Sequence, residues 1–255
     1  MNTAPYVEAF GCPAVGKSYV TERLLGLAEL RDAGVQSELF SISRARRLSR
    51  MATKLRLVVG AVPLLGAHWG RFCALVRCTP WSSAPAAGRA LLNWLQLLSM
   101  VQRLHRQGRP ILLCQGIFQA VWSLRYRARP DAGPAFPMQQ WVSLTLALLP
   151  PCPIVVLHVV AEREVIQRRQ HDRVGGQSVI DRSRDARNDA VVIAEEVLAV
   201  IAALEASGRV RVVTFDNTVA EPGHRSLSAL ARALGLAGST QAMAPRAAHG
   251  FSQAP

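Results

Sequence analysis

The stretch Phe10-Gly11-Cys12-Pro13-Ala14-Val15-Gly16-Lys17-Ser18-Tyr19 decides how the rest of the chain is read. It holds a glycine, four residues and then Gly-Lys-Ser, the pattern G-x-x-x-x-G-K-[ST], between an apolar run and a helical one. That context separates a phosphate-binding loop from an ordinary turn. Lysine occurs only at Lys17 and Lys54, so a chance match carries little weight. The chemistry accounts for the spacing. Backbone N–H groups of such a loop and of the first helical turn point at phosphate oxygens, and the helix dipole adds positive potential there. Glycine permits unusual dihedrals and close approach. The lysine reaches β- and γ-phosphates, and the serine hydroxyl can ligate Mg²⁺.

Outward from this loop, short apolar runs alternate with helical patterns, the mark of a parallel sheet covered on both faces. The expected strands are 5–10, 35–42, 110–114, 153–160 and 210–215. The expected helices include 19–34, 91–108, 138–149 and 185–208. Gly34, Gly108 and Gly208 each follow a helical run and precede a strand, where a left-handed residue ends the helix. The fold class is α/β, a three-layer α/β/α sandwich around a mainly parallel five-stranded sheet with a helical insertion.

Residues 43–88 break the rhythm. The basic run SRARRLSRMATKLR, 43–56, leads into apolar LVVGAVPLLGAHWG and predicts helices inserted between the second and third strands. Its plain reading is a solvated helix face plus core; its sharper one is a basic amphipathic segment contacting a membrane, a protein or an acidic substrate. The domain spans 1–237, and the small, polar, proline-containing residues 238–255 read as a disordered tail. Net charge is +13, which favours anionic partners. The five cysteines show no paired short spacing, which suggests neither a disulfide framework nor a zinc site and favours a reducing, cytoplasmic setting. No secretory signal is read, and Pro150, Pro151 and Pro153 interrupt the long apolar run 142–160.

Guanine-binding, transporter-type and motor-type signatures are missing. Present instead is a strand followed by an arginine-rich helix and a glycine loop, PIVVLHVVAEREVIQRRQHDRVGGQSVIDR, 153–182. Arg169 and Arg173 share a helix face, with Arg168 beside them. Together, FGCPAVGKS, ILLCQGIFQAVWSLR and this segment make the chain resemble the P-loop nucleoside and nucleotide kinase group, most nearly thymidylate kinase-like ATP-binding proteins, over roughly 5–217. The resemblance implies a P-loop NTPase fold using ATP and Mg²⁺. It places Gly11, Cys12, Pro13, Ala14, Val15, Gly16, Lys17, Ser18 and Tyr19 on the nucleotide, with Ser18 on the metal. It gives Gln115 and Arg168 to the substrate, and makes Lys17, Arg169 and Arg173 catalytic, the arginines acting from a lid at about 168–183.

Two positions depart from the family's pattern. Ala14 stands where glycine is common, which calls for a negative φ there. Cys114 stands where an acid usually ends the strand, and a thiol is a poor Mg²⁺ ligand and a poor base. Glu8 and Asp216 are the carboxylates at hand as substitutes, although each reads first as a local structural group. The expected function is transfer of the γ-phosphoryl group of Mg-ATP to a small acceptor, a nucleotide or nucleoside among them. The alternative is a non-catalytic ATP-binding protein that regulates a partner through the basic 43–56 segment. A nucleic-acid-dependent ATPase is disfavoured, because no aromatic residues interleave with the basic run as a stacking platform requires.

Overall fold

The computed structural model describes residues 4–37, 47–128, 135–171, 184–218 and 223–237. Most of the expected lid and the whole expected tail lie outside them. β1 (Tyr6–Phe10) is the central strand, flanked by β2 (Ile111–Leu113) and β3 (Ile154–Val160), with β4 (Arg211–Asp216) beyond β3. All pairings are parallel, with Tyr6 in register with both Ile111 and Ile154. Every residue of β1 is buried, as a strand covered on both faces must be.

The sheet has four strands where the sequence predicts five. The missing one is present as a start: Gln36 bridges Ile111 in parallel, its N–H donating to the Pro110 carbonyl and its own carbonyl accepting from Leu112, both at 3.0 Å. Residues 38–42, the remainder of that expected strand, lie outside the described residues.

Alternation along β1 assigns the two helical layers. Val7 and Ala9 face α1 (Lys17–Leu25), α2 (Ala28–Asp32) and the C-terminal helix 224–233, packing with Val20, Leu24, Leu30, Leu227 and Leu230. Tyr6, Glu8 and Phe10 face the opposite layer. The helix expected over 19–34 is split in two. The Gly26 N–H bonds to the carbonyls of Glu22 and Arg23, closing α1, and Leu27 turns extended and starts α2 while burying its side chain. Gly34, Gly108 and Gly208 have φ of 65°, 67° and 72°, the left-handed ends that the sequence predicts.

The inserted helices are α3 (Arg47–Leu65), a 3-10 turn at Gly66–His68, α4 (Trp69–Cys78) and the start of α5 (Ala84–His105). Ser83 caps α5, its Oγ accepting from the Ala86 N–H at 3.3 Å. The Arg56–Cys78 stretch is long and apolar enough by composition to cross a membrane. Within it, Phe72 and Leu75 are anchored in the core. Behind the insertion lie α6 (Ile117–Arg127), α7 (Met138–Leu148), α8 (Arg163–His171), α9 (Arg184–Ala206) and α10 (His224–Ala233). A bidentate Arg125–Glu196 pair, at 2.8 and 3.1 Å, ties α6 to α9.

An aromatic cluster joins the insertion to the sheet layer. Phe72 stacks on Trp94 with centroids 5.8 Å apart, and Trp94 meets Trp141 edge-on at 5.4 Å. Both indole N–H groups are satisfied, Trp94 by the Thr145 hydroxyl and Trp141 by the Thr79 hydroxyl. Trp94→Ala should therefore lower unfolding free energy by about 3–5 kcal/mol, read by chemical denaturation. A loss below about 1 kcal/mol would mean that this cluster does not hold the insertion in place.

Candidate functional site

The loop leaves the carboxyl end of β1, the edge of a parallel sheet where ligands bind. Gly11 has φ of 152°, and a Cβ there would run into the Val159 carbonyl oxygen, so the chain can pass β3 only as glycine. Gly16 is left-handed, at φ 98°. Ala14 is too: its φ is 69°, against the negative value that the sequence calls for. That conformation costs an alanine roughly 1–2 kcal/mol, which the loop's other bonds over-determine. A Val15 N–H to Cys12 carbonyl bond of 3.3 Å closes the turn between them. Left-handed residues flank Val15, a backbone pattern of the kind that forms anion-accepting nests, with the Val15 N–H itself taken by Cys12.

Lys17 opens α1 and folds back over the loop, its Nζ donating to the Gly11 carbonyl at 2.8 Å and the Cys12 carbonyl at 3.1 Å. No side chain caps this helix, and its first turn has no acid, so its positive end faces the loop without an internal counter-charge. Tyr19 packs on its own helix, its hydroxyl accepting from Arg23 Nε at 3.3 Å.

Ser18 is exposed and hydrogen-bonded to the buried thiol of Cys114 at the end of β2. Burial pushes the Cys114 thiol up, with the Ser18 hydrogen bond and the Lys17 charge opposing. For a hard cation, the Ser18 hydroxyl fits and the Cys114 sulfur does not. Among the described residues, no group of three or more His, Cys, Asp or Glu side chains gathers to hold a metal. Mg²⁺ here would be held by Ser18, nucleotide oxygens and water.

Glu8 and Asp216 have other work. Glu8 is fully buried and accepts from the Tyr6 hydroxyl at 2.9 Å, the Phe118 N–H at 3.1 Å and the Gln119 N–H at 2.9 Å. Tyr6 in turn accepts from the Ile117 N–H at 3.1 Å. The first turn of α6 is thus capped from β1. A Cβ at Gly116 would collide with the Tyr6 hydroxyl and the Glu8 carboxylate, so the turn needs glycine. Burial pushes the Glu8 carboxyl up to about 7 against the pull of those donors. Asp216 is exposed and accepts from the Thr218 N–H at 2.8 Å, and bonding to Thr218 holds its carboxyl below the usual range.

Gln115 is exposed in the turn between β2 and α6, at the same sheet edge as the loop. Arg168 is exposed on α8, and Arg173 lies outside the described residues. Arg169 reaches the loop itself: one guanidinium nitrogen donates to the Val15 carbonyl at 3.0 Å and another to the Asn217 carbonyl at 2.9 Å. Asn217 is a residue that the sequence did not flag. It follows β4 directly, is buried, and donates from Nδ2 to the same Val15 carbonyl at 2.8 Å. The available signal was a polar residue at the carboxyl end of a strand in a parallel sheet.

No protein-family model matches the sequence, and no curated protein does. Among solved structures, the chain is similar to a thymidylate kinase from Candida albicans. The two share 16% identity and a TM-score of 0.50, over 92% of this chain and 94% of that one. The chain has a thymidylate kinase-like α/β fold.

The Glu8 cap predicts a pH dependence. Its folded-state value near 7 lies above the ordinary 4.5, so folding favours the protonated form. This contribution, on the order of 3 kcal/mol, is complete below about pH 4.5 and is lost as pH rises through about 7. Denaturation of wild type and Glu8→Gln at pH 5 and pH 8 should show a smaller pH difference in the variant. Identical differences would remove Glu8 as the source.

Proposed function

We propose that the protein binds Mg-ATP and transfers its γ-phosphoryl group to a small acceptor, a nucleotide or nucleoside being the class that suits its fold. The observation that carries this reading is the loop: a nest of backbone N–H groups at an uncapped helix start, with the Lys17 ammonium held over it at 2.8 Å from Gly11. Residues Gly11 to Ser18 bind the phosphates, and Tyr19 extends that segment into α1. Lys17 neutralises charge on the β- and γ-oxygens during transfer. Ser18 would be the protein ligand of Mg²⁺, which would supply further charge neutralisation at the phosphates.

Gln115 is placed to meet the acceptor, because it is exposed at the sheet edge that carries the loop. Arg168, exposed on α8, and Arg173 supply guanidinium groups for the phosphates, with Arg169 seated at the loop. The five cysteines are unbridged, which suits a reducing, cytoplasmic setting.

A second reading rests on Cys114. With a thiol where an acid would stand, and Glu8 and Asp216 engaged elsewhere, the protein holds Mg-ATP without turnover and governs a partner. The basic 43–56 segment is its contact surface, for a protein or a membrane. Arg56 at its end is exposed.

Lys17→Ala should weaken Mg-ATP binding by about 10- to 100-fold, the worth of a charge-assisted hydrogen bond, with Tm nearly unchanged. Calorimetric titration and thermal melting read both, and unaltered affinity would remove the loop from the binding site. Cys114→Asp separates the two readings. Acceptor-dependent transfer by wild type across a nucleoside and nucleotide panel supports the kinase. Tight Mg-ATP binding with no transfer, and slow hydrolysis gained in the variant, supports the binder.

A further inference from the structure

We infer that Asn217, together with Arg169, is a positioning residue for the phosphate loop, fixing the direction of the Val15–Gly16 peptide. This rests on the ATP-binding reading and assigns a role to a residue outside the loop motif.

The geometry points one way. The Val15 carbonyl accepts two side-chain donors, Asn217 Nδ2 at 2.8 Å and Arg169 Nη1 at 3.0 Å. Arg169 also donates to the Asn217 carbonyl at 2.9 Å, so donors from β4's end and from α8 form one clamp. No peptide bond here is cis, and in a trans peptide the N–H points opposite the preceding carbonyl. Pinning the Val15 oxygen toward Asn217 and α8 therefore turns the Gly16 N–H the other way, into the loop's concavity. Gly16 is the only residue type that fits there: a Cβ would collide with the Asn217 amide, at a φ of 98°.

Asn217 has a poor structural motive for its position. It is 1% exposed, and its Oδ1 is buried without a hydrogen-bond partner among the described residues. For a buried side chain that leaves its acceptor unsatisfied, the donation to the loop carbonyl is the interaction that accounts for its placement. Arg169 also holds the Asn217 carbonyl, so the two donors act as one unit: losing either loosens the other's hold on the Val15 oxygen, and losing the second then adds less.

The test uses the full chain and two probes, Mg-ATP and inorganic tripolyphosphate, titrated well below the melting temperature. Asn217→Asp is nearly isosteric and replaces the donor with an oxygen facing the Val15 carbonyl. Arg169→Lys leaves the core untouched and removes the fork. Each should weaken tripolyphosphate and Mg-ATP alike by at least about 10-fold, the size expected when a phosphate-facing N–H is lost, while the ligand-free Tm of Arg169→Lys moves little; Asn217→Asp, which buries a carboxyl, is read well below its own lowered Tm. Asn217→Ala with Arg169→Ala should weaken binding by much less than the product of the single effects. Wild type that binds neither probe overturns both the ATP reading and this inference. Wild type that binds both, with Asn217→Asp and Arg169→Lys unaltered, overturns this inference alone. So do fully multiplicative effects in the double variant, or a loss of affinity that only follows a lowered Tm.

Discussion

The approach of Gly11 to the Val159 carbonyl is the constraint from which the site follows. Parallel strands β1 and β3 bring the chain to that contact, and φ of 152° leaves room for no side chain. From there the loop has one exit. It must turn back over the strand ends, and its carbonyls are then claimed from three directions: Gly11 and Cys12 by Lys17, and Val15 by Asn217 and Arg169. With carbonyl oxygens drawn outward or onto the lysine, and the Val15 N–H taken by Cys12, the loop's other N–H groups are what remains for an anion.

Two helices begin at this sheet edge, and their positive ends are treated oppositely. The start of α6 is neutralised internally, because Glu8 and Tyr6 take its first N–H groups from beneath. A phosphate arriving there would find those N–H groups already bonded. The start of α1 has no side-chain cap and no acid, and a lysine as its first residue. Of the two helix starts, the one whose N–H groups no side chain takes is thus that of α1.

What the sequence could show was whatever local spacing encodes. The loop motif, the strands around Val7, Leu112, Val156 and Val213, and the left-handed glycines at 34, 108 and 208 are set by neighbours in the chain, and they lie where the spacing puts them. Pairings between distant residues were illegible. Glu8 meets Gln119 across 111 positions, and Asn217 meets Val15 across 202. Arg169 reads in sequence as a lid cation, yet its nearest partners are two backbone carbonyls that only the folded sheet brings to it. The left-handed Ala14 belongs to the same class. A local preference worth roughly 1–2 kcal/mol yields to a loop whose ends are tied elsewhere. The split between α1 and α2 shows the converse: burying Leu27 and Leu30 outweighs continuing one helix through Gly26.

Cys114 is where sequence and structure agree on a departure and the physical consequence reaches the chemistry. Its buried sulfur ends β2 beside Ser18 and Lys17, and a soft donor there suits a hard cation poorly. Among the described residues no three His, Cys, Asp or Glu side chains gather to hold a metal, and Glu8 and Asp216 are engaged with backbone N–H groups. Were Mg²⁺ held here, Ser18 would be its protein oxygen ligand, through lone pairs that a hydrogen bond donated to the Cys114 sulfur leaves free. The rest of its shell would have to come from ligand oxygens and water, which would tie metal affinity at this edge to the ligand that the metal accompanies.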